Sequence, residues 1–209
     1  MKHLKMCVLA AVVGGALMAI PGASTASANG VLCSTATNPC TSKWAVGTAL
    51  DFSLESGTST KVTDTSGNVL DTCTESTVKD KLTSNPAGTT TATGENTSIT
   101  WGNCAWTTDT TKLGKLKFEA EDDSGNGWLY SDEQIRWTIN IPIFGSCEYG
   151  VEAGTRLGTV KEGTSANATI TINAVIVKLN ACVGPSTSLL TASYVMTEPN
   201  TTTLFVSTS

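Results

Sequence analysis

The chain has 209 residues, a net charge of −5 and one histidine, His3. The acidic balance argues against nucleic acid and anionic membranes as partners, because both reward clusters of Lys and Arg. Past His3 there is no imidazole, which removes every Ser/His/Asp or Cys/His nucleophile arrangement and every histidine metal site.

In chain order, Lys2 and Lys5 precede an apolar stretch from Met6 to Ile20, followed by small residues ending Ala26-Ser27-Ala28. That order is the three-part pattern of a secretory signal peptide cleaved before Asn29. The apolar stretch is about 15 residues, short of the roughly 20 that cross a bilayer. The expectation is a leader at 1–28 and one exported domain at 29–209, secreted or held at the cell envelope, with no membrane span. Losing Lys2 and Lys5 brings the net charge to −7.

Six cysteines follow the leader: Cys33, Cys40, Cys73, Cys104, Cys147 and Cys182. An even number in an exported chain reads as disulfides. No C-x-x-C pair offers a zinc site. Neighbours in sequence are expected to pair, giving Cys33–Cys40, Cys73–Cys104 and Cys147–Cys182.

Threonine makes up about one residue in six. It is β-branched and favours pleated strands. Period-2 alternation marks strands at Trp44 to Leu54, Leu113 to Ala120, Ile135 to Ile141 and Ile170 to Leu179, with a last one at Thr202 to Val206. The polar stretches 84–97 and 162–169 read as loops. Two segments resemble each other: Cys73, Thr77-Val78-Lys79 and Cys104 in one, Cys147, Thr159-Val160-Lys161 and Cys182 in the other. They predict two long hairpins, each stapled near its open end. Many short strands with frequent turns give the expected fold class: all-β, a disulfide-stabilised β-sandwich of about ten antiparallel strands.

One segment carries a ligand-like spacing. Asp122, Ser124, Asn126, Trp128 and Glu133 occupy the oxygen-donor positions of a calcium loop, with Gly127 at the sharp turn. Helices should flank such a loop, yet both flanks alternate at period 2, so a plain turn is the competing reading. Calcium is the one cofactor the residues offer. Glu119, Glu121, Asp122, Asp123, Asp132 and Glu133 also cluster in sequence, as a carboxylate-based polysaccharide hydrolase would need if two faced each other across a cleft. Of the tryptophans, Trp44, Trp101 and Trp137 fall on apolar faces, whereas Trp106 and Trp128 lie near turns and suit a binding surface.

The early cysteine pair, Cys73-Thr-x-Ser-Thr77, Trp101-x-x-Cys104 and the run Phe144 to Gly150 resemble secreted actinobacterial-type proteins that carry no assigned function. The resemblance implies an exported β-sandwich and brings no catalytic residue. The functional expectation is a non-catalytic binding or structural protein whose partner is a cell-surface protein or polysaccharide. A polysaccharide hydrolase and a calcium-dependent adhesion module are the alternatives.

Overall fold

The computed structural model describes residues 29–86, 91–121, 124–142, 145–163, 167–199 and 204–208. The expected leader and Asp122 and Asp123 lie outside them. Among the described residues there are fourteen strands and no helix.

The long strands set the plan. β1 (Val31–Cys33) is short. β2 (Ala49–Leu54) and β3 (Thr60–Asp64) run end to end along β4 (Val69–Ser84), which turns back into β5 (Ala92–Cys104). After β6 (Thr107–Lys112), β7 (Lys115–Ala120) pairs with β5, and β8 (Gly127–Ser131) pairs with β7. β9 (Ile135–Ile141) and β10 (Gly145–Val151) form a hairpin. β11 (Arg156–Lys161) pairs with β8 and with β12 (Thr169–Lys178), and β12 pairs along its length with β13 (Thr187–Glu198). β13 then pairs with both β2 and β3. β14 (Phe205–Ser207) returns to β1.

These pairings close a ring. Counting the broken strand β2/β3 as one stave, the order is β2/β3, β4, β5, β7, β8, β11, β12, β13 and back, every neighbour antiparallel. The fold is therefore an eight-stave barrel with extra strands. The expected sandwich is corrected on this point. Sandwich and barrel strands alternate alike, and only the pairing of β13 with β2 and β3 separates them, a contact between residues over a hundred positions apart. Closure also removes the barrel's open edges.

β6, β9 and β10 extend the wall on one side. β10 joins β12 through Tyr149 and Gly150, β9 joins β10, and β6 is the edge strand. The strand pair β1–β14 plugs the other end. Leu32, Leu204 and Val206 are buried in the main core, and Asn85 brackets the plug by bonding both the N–H and the carbonyl of Leu32.

All three expected bridges are present: Cys33–Cys40, Cys73–Cys104 and Cys147–Cys182. The two resembling segments also show their common plan. Cys73–Cys104 staples the open end of the β4–β5 hairpin. In the second segment β10 and β11 together take the place of β4, running end to end along β12. That long strand is interrupted after Val151, where Gly154 takes φ +81°. The loop expected at 84–97 is shorter, because β5 starts at Ala92. Its inward residues there are Ala92, Gly94 and Asn96, which carry no hydrophobic alternation for a sequence reading to find.

Inside, Phe52, Leu82, Phe118, Ile139 and Ile176 are fully buried. Each such side chain stabilises by about 1.5–3 kcal/mol relative to exposure. Charged residues such as Lys79, Lys81 and Glu95 point outward. Apolar interior with charged exterior is the reverse of a membrane barrel.

Candidate functional site

The interior does not fill completely. A cavity of about 80 Å³ remains between the main staves and the β6–β9–β10 extension. Its walls are mostly apolar: Phe52, Leu116, Leu129, Ile170, Leu190 and Val151 contribute from six different strands. At one side Trp101 and Trp137 meet with ring centroids 6.1 Å apart and planes tilted by 42°. An eight-strand barrel is wide enough for side chains to fill it or for one small ligand to replace some of them. One water-sized sphere takes roughly 10–15 Å³ on this measure, so the space suits about five to eight non-hydrogen atoms.

Polar groups at the wall are few, and most are engaged. The Ser76 hydroxyl donates to Thr100 O at 2.9 Å and pairs with the Tyr194 hydroxyl at 2.9 Å. Burial, opposed by the Ser76 bond, raises the Tyr194 phenol above its ordinary value. The Trp101 indole N–H donates to Thr110 Oγ1 at 2.9 Å, and Thr110 Oγ1 donates to Ile99 O at 2.9 Å. These two bonds tie edge strand β6 to β5. Thr110→Val is expected to cost about 1–2 kcal/mol, because it leaves the indole N–H unpaired. Urea denaturation of the variant checks this, and an unchanged midpoint would remove the tie from the account.

Asn96 differs from the other wall groups. It is 3% exposed and lines the cavity. Its amide nitrogen donates to Leu113 O at 2.9 Å, but its Oδ1 has no partner. Its register partner on β4 is Asp80, 1% exposed, whose two carboxylate oxygens also lack partners. A Cβ on Gly94 would fall 2.0 Å from Asp80 Oδ1, so only glycine at 94 leaves room for that carboxyl. Burial, then the charges of Asp51 and Glu95, push Asp80 from 3.8 up to about 7.

The residues singled out by sequence do not gather here. Asn126 Nδ2 bonds Ser124 Oγ at 2.8 Å, and Asn126 Oδ1 accepts from Glu162 N at 3.2 Å. Trp128 lies in β8, laddered to β7 and β11. Glu133 follows at the far end of that strand, five residues that span on the order of 16 Å. There Glu133 pairs with Lys115 Nζ at 2.5 Å. The described members of the calcium spacing thus sit at opposite ends of one strand, and Asp122 lies outside the described residues. Gly125, at φ +90°, is packed against the Phe205 ring where a Cβ would fall, so this turn seats the plug. The close group of metal-ligand types among the described residues is Asp71, Cys73 and Cys104, and both of its sulfurs are in a disulfide.

The clustered carboxylates also disperse. Glu119 pairs with Lys117 at 2.8 Å and Glu133 with Lys115. No carboxylate lines the cavity among the described residues. Trp106 donates its indole N–H to Leu70 O, and the Trp128 ring is covered by the Arg156 guanidinium 3.3 Å from its centroid. Trp137 is buried, Trp44 is partly buried against the core, and Trp101 is half-buried with its ring against Trp137.

Asn96 and Thr110 were missed because they lie in Thr-rich polar runs. One signal was available for Asp80: Val78, Asp80 and Leu82 share one face of β4, which puts an acid on an apolar stripe.

The fold and cavity define a closed antiparallel β-barrel with a small apolar interior site. No protein-family model matches the chain, and comparison with curated proteins and with solved structures gives no match.

Proposed function

We propose that this is an exported, non-catalytic binding protein whose barrel takes up a small, largely apolar molecule of about five to eight non-hydrogen atoms. The observation that carries the reading is the cavity itself, walled by Phe52, Trp101, Trp137 and Tyr194 with aliphatic side chains between them. Ligand sites are typically concave and apolar with a few placed polar groups. Apolar cavities large enough for the ligand stay dry and take up hydrocarbons. Export is supported by the leader pattern at 1–28 and by three bridges of a kind that persists in oxidising compartments.

Trp101 and Trp137 supply the readout. Titration with benzene is expected to change tryptophan emission saturably and to raise the melting temperature. Val78→Phe places a phenyl ring in the wall of the cavity and is expected to abolish that response while the fold persists. A parent protein whose emission and melting temperature ignore both benzene and cyclohexane would overturn the reading.

A further inference from the structure

We propose that the ligand presents one hydrogen-bond donor, a hydroxyl or N–H, to Oδ1 of Asn96, so that the barrel selects a phenol-like molecule over a hydrocarbon of equal size. This rests on the cavity being the binding site.

The argument starts from which polar atoms are open. Among the side chains lining the cavity, Asn96 is the one with a buried polar atom that lacks a partner. Its orientation is fixed from two sides: Nδ2 donates to Leu113 O at 2.9 Å and the main-chain N donates to Gly114 O at 3.3 Å. Oδ1 is therefore held in place and cannot turn to find another donor. Nearby protein donors are spent elsewhere, with Trp101 Nε1 on Thr110 and the Ser76 hydroxyl on Thr100 O. Asp80, across the β4–β5 ladder, adds two more oxygens without partners, and above about pH 7, where it is ionised, both can only accept. This part of the barrel is rich in acceptors and short of donors.

A buried acceptor without a partner is costly, and a ligand donor recovers that cost on binding. A hydrocarbon of the same shape fills the space and leaves Oδ1 unpaired. The remaining lining is apolar, which favours a neutral donor over an ammonium group.

The test uses the processed protein at pH 8, where Asp80 is ionised, with phenol, benzene and anisole, followed by calorimetry. Phenol is expected to bind about ten-fold more tightly than benzene, as one neutral hydrogen bond provides. Anisole, which keeps an oxygen but has no donor, should group with benzene. Asn96→Leu is close in size and should erase the preference, so that phenol no longer binds more tightly than benzene. If that variant does not fold, the three-ligand comparison on the parent decides. Equal affinity for phenol and benzene would overturn the inference and leave the cavity reading intact. Failure of all three to bind would overturn the cavity reading and this inference with it.

Discussion

Replacing Asp80 by Asn is expected to flatten much of the pH dependence of stability between about pH 4 and pH 7, and to leave the variant more stable than the parent by about 4 kcal/mol above that window. The reason is burial without compensation. Asp80 is 1% exposed, neither oxygen has a partner, and it takes part in none of the three ion pairs among the described residues. The charges that reach it are Asp51 and Glu95, both of the same sign, and Lys79 is directed to Asp51 at 3.9 Å. Its carboxyl is accordingly raised from 3.8 to about 7. Between those values the folded chain holds a proton that the unfolded chain has released. Stability falls with pH wherever the fold binds more protons, so Asp80 does no harm below about pH 4 and its full cost is present above pH 7. Denaturant midpoints of parent and Asp80→Asn, taken at several pH values, read the difference directly. A difference that stays constant from pH 4 to pH 8 would show that Asp80 does not titrate in that window.

The same residue shows what a sequence can and cannot reveal. β9 was legible from end to end, because Ile135, Trp137, Ile139 and Ile141 alternate with polar residues. The bridges were legible because six cysteines with no metal spacing leave few options. Closure was not legible. It depends on β13 meeting β2 and β3, and nothing local encodes which strand lies beside which. The site was hidden for a related reason. Its walls come from strands spread across the barrel, and Asn96, the lining residue with an unpartnered buried oxygen, sits in Thr93-Gly-Glu-Asn-Thr97, a run whose composition reads as loop. The calcium spacing is a purely local pattern, and β8 lies between its described members Asn126 and Glu133.

Loss of the bridges should divide by loop length. In the chain-entropy account, joining residues 31 apart (Cys73–Cys104) or 35 apart (Cys147–Cys182) stabilises by about 4 kcal/mol each, while joining residues seven apart (Cys33–Cys40) gives about 2.5 kcal/mol. The two long bridges act on the barrel wall. Cys73–Cys104 holds the open end of β4–β5, and Cys147–Cys182 holds β10 beside the end of β12. The short bridge acts on the plug, since Cys33 ends β1 and faces Phe205 of β14. Paired Cys→Ser replacements are therefore expected to separate two effects. Losing either long bridge should lower the global denaturant midpoint strongly. Losing Cys33–Cys40 should lower it less, and should loosen β1 and β14 first, seen as faster amide exchange at Val31, Leu32 and Val206. If the short bridge proved as costly to remove as the long ones, chain entropy would not be how these staples work, and the plug would have to be counted as part of the barrel's cooperative unit.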